Sequence, residues 1–91
     1  MKLSNQEIKS KVNNLRGWAL KEGEIKKTFE FGNFLESIEF VNKIAPIAEK
    51  QKHHPDIEIN YNKVTVSLST HDEGGVTDKD ITLAKTIDVL K

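Results

Sequence analysis

An α+β fold of two layers, in the order α-β-β-α-β-β-α, with a four-stranded antiparallel sheet and three helices on one face of it, is the architecture this sequence predicts. Three observations carry that reading. A Ser, an Asn and a Thr each stand three positions before an acidic residue and open a stretch of helically spaced apolar side chains. Four short strand-like stretches come as two pairs, each joined by a tight turn. One helical stretch separates the two pairs, and residues 1–91 read as a single domain.

Ser4 and Glu7 form the first capping box, and Ile8, Val12 and Leu15 then recur on one face, which predicts a helix from about Asn5 to Leu15. Gly17 interrupts it. Trp18 to Leu20 reads as a short strand, and the polar run from Lys21 to Glu24, with Gly23 inside, as a hairpin turn. Ile25, Phe29 and Phe31 alternate with Lys26, Thr28 and Glu30, as a strand with one buried face requires. Asn33 and Glu36 then open the long helix, on which Phe34, Ile38, Val41, Ala45 and Ala48 trace an apolar stripe broadened by Leu35, Phe40 and Ile44. Pro46 removes one backbone donor from that helix and predicts a bend or a local irregularity rather than a stop, with the end near Lys52, before Pro55. Ile57, Ile59 and Tyr61 alternate with acidic and amide residues, Val64, Val66 and Leu68 with Thr65, Ser67 and Ser69, and Asn62-Lys63 marks the turn between. Asp72 to Gly75 is a loop, and Thr77 with Asp80 is the capping box of a last helix that buries Leu83, Ala84, Ile87 and Leu90. Trp18 and Tyr61 are expected to be core or interface aromatics.

Composition excludes several functional classes. The chain has 14 Lys and Arg against 14 Asp and Glu, so no long-range field gathers nucleic acid or an anionic membrane. A 36% share of hydrophobic residues, arranged periodically, separates it from disordered segments. The N-terminal residues have no apolar leader run, no stretch is long enough to span a membrane, and cysteine is absent, so the expected location is the cytoplasm. A chain of 91 residues without disulfides has a thin core, which predicts a homodimer or homotetramer.

The three histidines all fall at element ends: His53 and His54 after the long helix, His71 after the last strand. They are the side chains suited to acid–base work near neutral pH. A His-His pair is in itself a weak signal, because imidazolium is favoured at any helix C-terminus. Glu49 adds weight: four residues before His53, it shares a face with that ring if the helix persists, and can orient it. If the last strand continues that far, His71 falls, by parity, on the sheet side away from Val64, Val66 and Leu68. Zinc fits poorly, since adjacent histidines aim their rings apart and the helical i, i+4 pair is missing. Ser69 and Thr70 lack the turn that exposes a nucleophile, and Gly74-Gly75 lacks the lysine of a phosphate loop. What survives is proton transfer by imidazoles.

The string Glu49-x3-His53-His54-Pro55-x5-Tyr61-x9-His71-x8-Asp80 resembles the signature of the pterin-4a-carbinolamine dehydratases at every specified position. The likeness extends over the Trp18 region, Phe29-x-Phe31-x2-Phe34, Tyr61-Asn62-Lys63-Val64 and Ser69-Thr70-His71, nearly the whole chain. It implies the same α-β-β-α-β-β-α fold, assembly as dimers or pairs of dimers, and a small-molecule pterin substrate. It also implies catalysis by His53, His54 and His71, with acidic partners at Glu49 and Asp80 and with Pro55, Ser69 and Thr70 binding or orienting the substrate. The activity implied is that of 4a-hydroxytetrahydrobiopterin dehydratase, a hydro-lyase of tetrahydropterin recycling that needs no metal or redox cofactor. Many members carry an acidic residue where this chain has Lys52, and a basic one where it has Lys79. The resemblance also admits a non-enzymatic reading: relatives of this fold serve as the dimerisation partner of a homeodomain transcription factor and as assembly factors for a large carboxylase.

Overall fold

A computed structural model describes residues 1–91. Its elements follow the expected order: α1 (Asn5–Val12), β1 (Ala19–Lys21), β2 (Glu24–Glu30), α2 (Phe34–Gln51), β3 (Asp56–Asn60), β4 (Lys63–Leu68) and α3 (Asp78–Leu90), with a single 3-10 turn at His71–Glu73. The four strands form one antiparallel sheet in the order β1-β2-β4-β3, which puts the two hairpins side by side through the β2–β4 pairing.

Local chemistry explains where each element starts. Both expected capping boxes form: Ser4 Oγ accepts from the Glu7 N–H while Glu7 Oε1 accepts from the Ser4 N–H, and Thr77 with Asp80 repeats the arrangement at α3. Asn33 Oδ1 accepts from the Glu36 N–H to open α2. In the first hairpin Glu22 and Gly23 both have positive φ, 51° and 79°, the backbone twist that lets a two-residue turn join antiparallel strands.

The inner sheet face carries Ile25, Phe29, Val64, Val66 and Leu68, all buried, against Phe40 and Ile44 of α2 and Leu83 and Ile87 of α3. Each such side chain contributes roughly 1.5–3 kcal/mol by leaving water. The Phe29 and Phe40 rings meet at 4.8 Å between centroids, which ties β2 to α2. Lys27 lies on the same strand face and is accommodated by an ion pair with Asp88 of α3 at 2.9 Å. The opposite face is polar, and there Thr28 and Thr65 join across the central strands through their hydroxyls at 2.9 Å.

Four expectations need correction. Helix α1 ends at Val12, not Leu15, because the chain tightens into a turn in which the Leu15 N–H donates to the Val12 carbonyl; Leu15 is nevertheless buried. On α2 the expected Phe40, Ile44 and Ala48 are buried together with Ser37, and Val41 packs partly buried against them, but Phe34, Leu35 and Ala45 of the expected stripe are exposed. The sheet selects one side of that broad stripe: the Ser37 hydroxyl donates to the Tyr61 carbonyl at 2.9 Å and can therefore be wholly buried, whereas Leu35 is left 66% exposed. The second hairpin turns at Tyr61-Asn62, with Tyr61 at φ 52°, so Lys63 already belongs to β4. Tyr61 is consequently exposed, which rules out the core role of the two expected for it, while Trp18 is buried. Helix α2 runs on through Pro46 to Gln51.

Candidate active site

Two terminations create the site. Helix α2 stops at Gln51 because Lys52 takes the left-handed conformation, φ 52° and ψ 41°, and its N–H and that of His53 close the last turn onto the Glu49 and Ala48 carbonyls. The chain then leaves through His53, His54 and Pro55 into β3. Strand β4 stops at Leu68, and Thr70 pairs with Gly75 as an isolated bridge, so that His71 to Gly74 form a small closed loop. Gly74, at φ 75°, supplies the positive φ that closes it. Thr70 is buried, and His71, beyond the end of β4 at the start of the 3-10 turn, is exposed.

A cleft of about 260 Å³ opens where these ends meet the N-terminus of α3, lined by His53, His54, Ser69, Thr70 and His71 together with Lys52, Asp72 and Lys79. All three histidines therefore border one space. Their surroundings differ. His53 Nε2 lies 2.5 Å from Asp80 Oδ1, with the ring only 11% exposed and the carboxylate 0% exposed. His54 Nε2 lies 2.5 Å from Glu49 Oε1, in a pair open to solvent at 61% and 77%. His71 sits at the start of the 3-10 turn and makes no ion pair with a carboxylate.

Glu49 thus orients His54, and the expected pairing with His53 does not form. The i, i+4 argument holds only while the helix continues, and the left-handed Lys52 swings the following residue out of register. Asp80 takes up His53 instead. It also accepts from the Thr77 N–H at 2.9 Å and the Thr70 hydroxyl at 2.8 Å, both through Oδ2. A carboxylate is acceptor-only, so in each contact the partner donates, and His53 offers Nε2–H.

Ser69 and Thr70 reach the cleft as expected, but Pro55 does not line it. No cluster of three His, Asp or Glu side chains has the geometry to hold a metal ion. Asp72 escaped the sequence reading, and nothing local marks it. Thr77 was visible only as a helix cap; that its hydroxyl lies 2.8 Å from that of Thr70 becomes evident only once the two chain segments are folded together.

Comparison with known proteins adds a further set of findings. The family model described as pterin 4 alpha carbinolamine dehydratase matches residues 1–90. A protein of Sulfolobus acidocaldarius provisionally named pterin-4-alpha-carbinolamine dehydratase is 52% identical over 91 residues, 100% of both chains. A protein of Sulfurisphaera tokodaii with the same provisional name is 53% identical over 89 residues, 98% of this chain and 96% of its own. Among solved structures, a transcriptional coactivator/pterin dehydratase from Brucella melitensis superposes with a TM-score of 0.94 at 34% identity, covering 99% of this chain and 98% of that one. A pterin dehydratase-like protein that is a RuBisCO assembly factor in the alpha-carboxysome shares the fold, with a TM-score of 0.65 at 23% identity over 80% of this chain and 84% of its own.

Proposed function

Because the chain belongs to the pterin 4 alpha carbinolamine dehydratase family, we propose that it is a hydro-lyase, 4a-hydroxytetrahydrobiopterin dehydratase, acting in tetrahydropterin recycling by histidine general acid–base catalysis. The observation that carries this reading is the convergence of His53, His54 and His71 on one cleft, two of the rings backed by carboxylates.

The substrate defines what the residues must do. A 4a-hydroxytetrahydropterin loses hydroxide from C4a and a proton from nitrogen to become the quinonoid dihydropterin. The C4a–O bond breaks with its electron pair on oxygen, an imidazolium protonates the departing group, and water leaves. The ring nitrogen pushes its electrons into the new double bond, and a neutral imidazole accepts the proton released there. Each positioned acid or base of this kind is worth about 10²–10⁴-fold. In this proposal Glu49 and Asp80 hold the His54 and His53 rings, and Ser69 and Thr70 border the bound pterin.

We also propose assembly as a homodimer or homotetramer. Helix α2 presents Phe34 and Leu35 outward, large apolar side chains that the core leaves exposed, and a second copy of the chain would cover them. The same face favours a second reading, a protein-interaction module, to which the paired description of the Brucella melitensis protein as coactivator and dehydratase also lends support.

A direct dehydration assay on chemically generated carbinolamine, with a chelator present, tests the enzymatic reading. Acceleration above the buffer rate is expected. A rate equal to buffer would leave the interaction module as the surviving function.

A further inference from the structure

Asp80 serves two structural purposes with one side chain, and the way its donors are arranged has a direction. The Thr77 N–H and the Thr70 hydroxyl both donate to Oδ2, at 2.9 and 2.8 Å, while His53 Nε2 meets Oδ1. The Thr70 hydroxyl has a single proton, and the carboxylate takes it. The 2.8 Å contact between the Thr70 and Thr77 hydroxyls is therefore donated by Thr77. Thr77 Oγ1 in turn accepts from the Lys79 N–H at 3.2 Å, the capping bond of α3. Every proton in the network points towards Asp80. Asp80, Thr70 and Thr77 are all buried, which strengthens these bonds.

We infer that Thr70 and Thr77 are positioning residues for the acid–base reaction, acting through Asp80 to lock the proton of neutral His53 onto Nε2. Locking Nε2–H leaves Nδ1 as the one nitrogen through which His53 exchanges a proton. The capping box that starts α3 is thereby the device that sets the tautomer of a histidine 27 residues earlier in the chain. This inference rests on the dehydratase reading for its kinetic part, but the tautomer is a property of the free protein and is measurable without any substrate.

Nitrogen NMR of the full-length protein, at a pH where its histidines are neutral, tests it. In the wild type His53 is expected to be almost wholly the Nε2–H tautomer. Thr70→Val keeps the side-chain shape but removes both a donor to Asp80 and the acceptor for Thr77. It is expected to admit the Nδ1–H tautomer at His53 and to lower kcat roughly three- to tenfold, the scale on which a neutral hydrogen bond acts. Thr70→Ser, which restores the hydroxyl, should return both the spectrum and kcat towards wild type. A wild-type His53 that carries its proton on Nδ1 overturns the inference even if Thr70→Val fails to fold. So does a folded Thr70→Val protein with an unchanged His53 spectrum. A protein inactive on carbinolamine whose His53 spectrum nonetheless responds to Thr70 would discard the dehydratase reading and leave the positioning network standing.

Discussion

His53 and Asp80 are joined at 2.5 Å between Nε2 and Oδ1, across 27 residues of sequence, and the carboxylate has no exposed surface. The other histidine–carboxylate pair, His54 with Glu49, has the same length but stands in solvent. Two pairs of one chemistry in such different surroundings have separable energetic and catalytic consequences.

Removing the buried partner should cost stability, and removing the exposed one should not. Asp80→Ala deletes a helix cap and strands the Thr70 hydroxyl and the His53 ring, so a loss of about 2–4 kcal/mol is expected in urea unfolding. Glu49→Ala should cost less than about 1 kcal/mol, as solvent-exposed pairs do. Equal losses at the two sites would contradict the account of the Asp80 network.

The imidazoles carry the proposed chemistry. His54→Ala or His71→Ala should slow dehydration at least about tenfold with the circular dichroism spectrum intact, the scale of one acid–base group. A His53→Ala/His54→Ala double variant that turns over at the wild-type rate would end the catalytic assignment.

The capping box of α1 makes stability depend on acid. The Glu7 carboxyl is held below the ordinary glutamate value of 4.5, first by the Ser4 N–H and next by the Ser4 side chain. A depressed folded value means that the contribution is fully present above the unfolded value and is lost as pH falls through the folded one. The melting temperature of Glu7→Gln should therefore lie below wild type by a constant gap at neutral pH, closing as the solution is acidified below the ordinary value of 4.5. A gap that persists unchanged into strong acid would show that the carboxylate charge is not what holds the cap.

Assembly is the remaining expectation. If a second copy covers the outward face of α2, the melting temperature should rise with protein concentration by mass action, and Leu35→Glu should shift light scattering towards the monomer. A wild-type monomer at all concentrations, with a constant melting temperature, would remove the oligomer while leaving the catalytic reading intact.

Much of this was legible in the order of residues. Ser4 with Glu7, Asn33 with Glu36 and Thr77 with Asp80 open helices because a side chain three positions away can reach a free backbone donor, a relation that needs no distant contact. Alternation likewise identified the buried side of β4, carrying Val64, Val66 and Leu68. Tertiary structure alone decided which carboxylate meets which histidine. One left-handed residue, Lys52, ends α2 and voids the helical spacing between Glu49 and His53, and the ring then finds its partner on an element that begins 25 residues further on. It also decided which side of the broad apolar stripe of α2 is buried, since that is chosen by the surface that receives it. The Thr70–Thr77–Asp80 network has the same origin: its members matter to His53 only because the end of β4, the start of α3 and the end of α2 are packed together, and no local pattern encodes that meeting.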